Sequence, residues 1–301
     1  MPRRRHLNKK YRLRLSSLLL ILLGIIIIVT GVVIFLSDVK EENSGKIAVI
    51  PVYGEISLLG NGASSKNLVP LITKANNDNS VKAIIIDIDS SGGSFVASKE
   101  IANAVGNCNK PVVALIRETA ASGAYWIASE GDVVVADQAS ITGSISVTAS
   151  YLQFAGTMDK YGVAYEQVVS GEYKNMGSPF KELTYAEKKI LEGKVNILNN
   201  MFIDAIAQNR NLERDYVAKL ATGEIYLGVE AKNYGLIDVF GDKLKAQHVA
   251  EELAGLDKSE LIEYKSTATF SDLLSQRVQS IAQDVGASIS NTMSGLKLRA
   301  D

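Results

Sequence analysis

The sequence predicts an α/β fold behind an N-terminal membrane anchor, and three observations predict it. Short β-branched runs alternate with helix-compatible stretches between residues 46 and 151. Residues 16–36, SSLLLILLGIIIIVTGVVIFL, carry no charge. After Thr184 the pattern changes to one long helical stripe. The 301 residues suffice for one sizeable domain or two small ones, and 47% hydrophobic with 22% charged residues excludes wholesale disorder.

The apolar core from Leu18 to Leu36 is 19 residues long. At 1.5 Å per residue it reaches about 28 Å, close to the ~30 Å hydrocarbon layer of a bilayer. Its exit, IFLSDVKEEN, offers no small-x-small cleavage site, so a retained anchor is expected rather than a cleaved signal. Residues 1–14 carry seven Lys/Arg and no acid, which puts them in the cytoplasm and the rest of the chain beyond the membrane. That remainder holds 25 Lys/Arg against 33 Asp/Glu, a net charge of −8, which argues against a nucleic-acid partner. The expected organisation is a basic cytoplasmic segment (1–14), a transmembrane anchor (15–37), a linker (38–45), a folded domain (46–265) and an amphipathic helical tail (266–301).

Within the folded domain the elements follow in order. KIAVIPVYGEI (46–56) reads as a strand, followed by a looser polar and glycine-containing stretch to residue 66. LVPLITKANNDN (68–79) reads as a helix. Residues 83–88 are apolar and β-branched, as in a strand buried on both faces. Gly92 and Gly93 make a turn, and 94–105 a helix. KPVVALIRE (110–118) is another buried strand, followed by a turn at Ser122 and the helix-compatible GAYWIASE (123–130). DVVVAD (132–137) and SISVTASY (144–151) read as further strands. TYAE (184–187) has the Thr-x-x-Glu capping-box pattern. Beyond it Leu191, Val195, Leu198, Phe202 and Ala205 line one face of a helix reaching Asn209. GEIYLGVEAKNYGLIDVFGD (223–242) returns to the α/β pattern. The stripe between residues 270 and 296 predicts a helix that packs on its own domain or on a second copy.

Ser122 stands between Ala121 and Gly123, where small neighbours let a carbonyl approach a hydroxyl. Acyl transfer also needs a base and backbone N–H donors aimed at the developing oxyanion. The turn DSSGGS (89–94) offers Gly92 and Gly93 as donors, and the amide of Gly123 lies next to the serine. If the two strands are neighbours, both turns can enclose one carbonyl. The base is harder to find. His6 lies in the cytoplasmic segment, and His248, in LKAQHVAEELAG, sits on an exposed helix. A lysine can serve if burial keeps it neutral. Lys174 lies in the glycine-rich loop VSGEYKNMGSPF, whereas Lys188, Lys189 and Lys194 are solvated charges on a helix. The single cysteine, Cys108, rules out an intrachain disulfide framework and reads as a helix-end residue. Asp87 and Asp89 read as strand-end polar residues on opposite faces, and no metal site is expected.

Four stretches, DIDSSGGS (87–94), AASGAYWIAS (120–129), ITGSISV (141–147) and SGEYKNMGSPFKELTYAE (170–187), together resemble the SppA-type signal peptide peptidases. These are membrane-anchored serine proteases related in fold to ClpP and the crotonases. A fifth, ATGEIYLGVEAKNYGLIDVFGD (221–242), resembles that family's closing segment. The resemblance implies a ClpP/crotonase-like fold of repeated ββα units for residues 46–265, without cofactor. It implies Ser122 as nucleophile and Lys174 as general base, with Ser144 helping to hold the lysine. Gly92 or Gly93, with Gly123, would form the oxyanion hole. It further implies homo-oligomers acting on signal peptides and other hydrophobic peptides at the cytoplasmic membrane. Two positions depart from the family pattern. Ala124 stands where a glycine is usual, and Ser91 where a proline is usual, so altered substrate fit is expected. A catalytically silent scaffold with the same fold is the alternative reading. A coenzyme-A-dependent acyl-thioester enzyme is disfavoured by the expected extracytoplasmic location.

Overall fold

The computed structural model describes residues 18–30, 43–59 and 62–265. It divides into two units, residues 1–43 and 44–301. In the first, residues 18–30 form a helix (α1) whose aliphatic side chains are exposed, with Thr30 Oγ1 donating to the Ile26 carbonyl at 2.7 Å. Among the described residues no helix is long and apolar enough to cross a membrane. The flanks of α1 lie outside the described residues, as do residues 15–17 and 31–37 of the anchor expected at 15–37. The expected tail helix at 266–301 lies wholly outside them.

The second unit is a mixed α/β structure on a sheet ordered β10 (Lys258–Glu263), β1 (Ser44–Tyr53), β4 (Val81–Ser90), β5 (Val112–Ala121), β6 (Val133–Ala136) and β9 (Val239–Phe240). All pairs along this path are parallel. Beyond the β6 pairing, β5 also pairs with β7 (Ile141–Gly143), and β7 pairs antiparallel with β8 (Ile225–Leu227). Two short strands, β2 (Ile56–Ser57) and β3 (Ala63–Ser64), pair separately.

The continuous apolar run of β4 follows from its central place in the sheet. Ile84, Ile86 and Ile88 face one apolar cluster, while Ala83 and Ile85 face another, and all are fully buried. Burying each such isoleucine contributes about 1.5–3 kcal/mol. The first cluster is covered by α2 (Ser65–Asn77), α3 (Phe95–Gly106), α4 (Gly123–Ser129), α6 (Tyr185–Asn209) and α7 (Arg214–Leu220). The second is covered by α9 (Lys243–Ala254). Trp126 of α4 stacks on Phe202 of α6 at 5.1 Å between centroids, tying the long helix to the sheet layer. The capping box at Thr184 forms as the sequence predicts: Glu187 N donates to Thr184 Oγ1, and Thr184 N to Glu187 Oε2 at 2.9 Å.

One expected strand is absent. Residues 144–150 form no strand, because Gly143 and Ser144 adopt φ of +80° and +50° and turn the chain out of the sheet. The segment that follows, with α5 (Ala155–Lys160), leaves Tyr151, Leu152, Phe154, Tyr161 and Tyr165 exposed. The remaining element, α8 (Gly228–Asn233), connects β8 to β9.

Candidate active site

Two turns meet at the C-terminal ends of β4 and β5. After β4 the chain bends at Gly92 (φ +97°) and Gly93 (φ +155°). The bend is held by β2: Ile56 N donates to the Gly92 carbonyl at 2.8 Å, and Ser94 N to the Ile56 carbonyl at 2.8 Å. A side chain at 93 would bring its Cβ within 2.1 Å of that carbonyl oxygen, so glycine is required there. After β5, Ser122 takes φ +54°, ψ −125°, and its carbonyl accepts the first bond of α4 from Trp126 N at 3.1 Å. An L-residue in that region costs roughly 1–3 kcal/mol and is held there by its surroundings.

The turns are in direct contact. A Cβ at Gly92 would lie 2.8 Å from the Ala121 carbonyl oxygen and 3.0 Å from Ser122 Cβ, and one at Gly123 would lie 3.8 Å from Gly93 N. Gly92 N–H is engaged by Ser90 Oγ at 3.1 Å, which leaves the Gly93 and Gly123 amides as the neighbouring pair beside Ser122. Among the described residues, Ser122 Oγ makes no hydrogen bond, and its side chain is half-buried at the junction of the two turns. Fully buried Ser98 of α3 lies under Gly123, its Oγ donating to the Ser94 carbonyl at 2.9 Å. A Cβ at Gly123 would fall 2.1 Å from Ser98 Oγ. Nothing in the sequence marked Ser98, a small polar residue on an ordinary helix.

The β5–β7 pairing brings Ser144 to the same place. Ala121 is in register with Gly143, Ser122 N–H donates to the Gly143 carbonyl at 2.9 Å, and Ser144 N–H donates to the Glu224 carbonyl at 2.7 Å. Thr142 Oγ1, fully buried, ties the two strands by donating to the Ala120 carbonyl at 2.8 Å.

Lys174 is placed differently from expectation. It lies in the turn after Gly171, to whose carbonyl its N–H donates at 3.0 Å, and its side chain is exposed. Among the described residues neither burial nor a hydrogen bond from Ser144 holds it. Ala124 is also corrected: its methyl is fully buried in the larger apolar cluster, so it shapes the core rather than a substrate wall. Ser91 is exposed.

His248 lies on α9, across the sheet from Ser122, with Nδ1 3.2 Å from Glu251 Oε2. Burial pushes the Cys108 thiol up to about 11, which leaves it protonated and unreactive at neutral pH. The reading of Asp87 and Asp89 as facing opposite ways is wrong, since residues two apart in a strand share a face. Asp89 lines a polar cavity of about 530 Å³ at the start of α9, together with Tyr53, Arg117 and Asp242, and buried Asp87 contacts two of its lining residues. Asp87 Oδ2 accepts from Tyr53 Oη at 2.8 Å and lies 3.5 Å from Arg117 Nη1. Burial, then the Asp87 bond, pushes the Tyr53 phenol up to about 12, keeping it a donor. Ser122 does not line this cavity.

Residues 106–257 match the model of peptidase family S49. A Methanocaldococcus jannaschii protein named as a candidate protease is 35% identical over 198 residues, covering 65% of this chain and 64% of its own length. An Enterococcus faecium protein named as a candidate signal peptide peptidase SppA is 32% identical over 207 residues, covering 68% of this chain and 60% of its own. The chain's match therefore spans less than two thirds of either relative. Among solved structures, a mutant of the membrane-bound stomatin-specific protease 1510-N with a substrate peptide superposes with a TM-score of 0.53 at 18% identity. That match covers 79% of this chain and 99% of the other, and shows a shared fold. The chain belongs to peptidase family S49.

Proposed function

We propose that this chain is a membrane-anchored serine endopeptidase working through a Ser/Lys dyad on a ClpP/crotonase-like fold. The observation that carries the reading is the junction of the two turns. There the free hydroxyl of strained Ser122 stands beside the amides of Gly93 and Gly123. Ser122 Oγ attacks the scissile carbonyl while a neutral Lys174 Nζ accepts its proton. The two amides stabilise the oxyanion, a contribution worth about 10²–10³ in rate per donor. Lys174 then passes the proton to the leaving amine, and a water activated the same way releases the acyl group from Ser122.

A lysine acts as base only where desolvation favours its neutral form. Lys174, exposed on one chain, would acquire that environment from a second copy. The uncovered apolar side chains between residues 151 and 185 support such a homo-oligomer, since exposed patches of this kind mark interaction surfaces. The substrates proposed are remnant signal peptides and other hydrophobic peptides, in keeping with the apolar segment at 16–36 and the name of the Enterococcus relative. The anchor holds residues 1–14 in the cytoplasm and the catalytic domain outside the cytoplasmic membrane. The test is cleavage of a fluorogenic hydrophobic peptide by the wild type, Ser122→Ala and Lys174→Ala, with folding checked by circular dichroism. Loss of turnover in both folded variants is expected, and turnover retained in either overturns the dyad.

A further inference from the structure

At the end of the sheet remote from Ser122, the first residues of β10, β1 and β4 open a shallow cleft of about 490 Å³. Lys46, Lys82 and Lys258 line it together with Ser44, Ser80 and a single acid, Glu260. The parallel register gathers the lysines: Ser44 pairs with Lys258, and Lys46 with both Glu260 and Val81. Lys82 Nζ donates to the Asn79 carbonyl at 3.1 Å. None of the three lysines enters an ion pair among the described residues. Asp78, beside Ser80 at the cleft, is engaged by Ser80 and Tyr264. This basic cleft is an exception on a chain whose residues after 14 sum to −8. It is also where the chain enters the domain: Ser44 begins β1 and lines the cleft, and only residues 37–43 separate it from the apolar run ending at Leu36.

We propose that this lysine cleft docks the catalytic domain onto anionic phospholipid headgroups of the membrane that anchors it. Lipid phosphates would occupy the space between Lys46, Lys82 and Lys258. The proposal rests on the anchor reading given above. Three lysines converging on a surface attract an anionic leaflet within a Debye length, and the anchor keeps that leaflet close. The docking also sets an orientation. Ser122 and Gly93 follow the opposite ends of β5 and β4, and at ~3.3 Å per residue a ten-residue strand holds them roughly 30 Å from the lipid. Substrates would therefore reach the site as peptides released from the bilayer, not as segments still embedded in it.

The full chain, inserted in nanodiscs of phosphatidylcholine alone or mixed with phosphatidylglycerol, provides the test. Acetylation rates of individual lysines are read by mass spectrometry, with exposed Lys188 and Lys194 as internal controls. Labelling of Lys46, Lys82 and Lys258 is expected to slow about fivefold in the anionic discs and to recover at high salt, with the controls unchanged. Equal labelling in both discs, in chain that stays inserted through a high-salt wash, overturns the docking while leaving the anchor intact. Release of the chain by that wash overturns the anchor and the docking together. Equal protection of detergent-solubilised chain by inorganic phosphate overturns the lipid surface in favour of a simple anion site. Amide exchange at residues 80–82 should be slower in anionic than in neutral discs for the wild type and equal in both for the variant Lys46→Glu/Lys82→Glu/Lys258→Glu. That variant should keep wild-type peptide cleavage in detergent.

Discussion

The backbone N–H of Ser122 donates to the carbonyl of Gly143 at 2.9 Å, which fixes two positive-φ serines, Ser122 and Ser144, side by side where β5 and β7 end. Gly143 is itself confined: at φ +80°, a Cβ there would lie 2.5 Å from the Tyr226 ring. Gly143→Ala must therefore move this junction. It is expected to lower stability by about 1–3 kcal/mol and turnover at least tenfold, with KM little changed. Thermal unfolding and steady-state kinetics check both.

The oxyanion role proposed for Gly93 is tested by replacing it. Its replacement by alanine drives a methyl onto the Ile56 carbonyl oxygen, so the bend carrying the Gly93 amide must shift. A fall in kcat of about 10²–10³ is expected. Ser90→Ala, which removes only the acceptor of the Gly92 amide, should stay within about threefold of wild type. The comparison is read in kcat for one peptide. Equal losses would place Gly92, rather than Gly93, in the oxyanion role.

The pH dependence follows from the base. In the proposed dyad the lysine accepts a proton only in its unprotonated form. The value of kcat/KM should accordingly rise with pH and fall as pH drops. A bell centred near ~6.5 would instead point to a histidine, and hence to His248.

Cys108 gives a check independent of catalysis. With its thiol pushed up to about 11 by burial, the reactive thiolate is scarce at pH 8 and is recovered only as pH approaches that value. Iodoacetamide should modify the native chain at least about tenfold more slowly than the urea-unfolded chain at pH 8. Equal rates would show that the α3 C-terminus opens freely.

If a second copy supplies the environment of Lys174, specific activity should fall on dilution as the oligomer dissociates. Tyr161→Asp and Tyr165→Asp, in the uncovered apolar segment, should lower the mass measured by light scattering and reduce activity in parallel. Activity that is independent of concentration in a monomer would assign the whole site to one chain.

Much of this architecture was legible in the residues themselves. The β-branched runs of β4 and β5 announced strands buried on both faces, and Thr184 with Glu187 marked the start of α6. Ser122 and the Gly92–Gly93 turn stood out because small residues around a hydroxyl or at a bend carry specific steric meaning. The contact between those turns was not legible. It depends on β4 and β5 being neighbours and on a two-residue strand at Ile56, too short to leave a periodic signal. The strand expected at 144–151 failed for a local reason: its alternating pattern is genuine, but the left-handed Ser144 ends the sheet before the pattern begins. The expectation that Lys174 is the base came from the family resemblance, its glycine-rich loop setting it apart only from the lysines on the long helix, and among the described residues nothing buries it. Ser98 was missed because only the close approach of α3 to Gly123 gives that hydroxyl a role.

The most direct test of the central claim is labelling by a fluorophosphonate probe, mapped by mass spectrometry in the wild type and in Lys174→Ala. Reaction at Ser122 Oγ is expected, at least about a hundredfold faster in the wild type than in the lysine variant. An adduct on any other residue, or equal rates of modification at Ser122 in the two proteins, would contradict it.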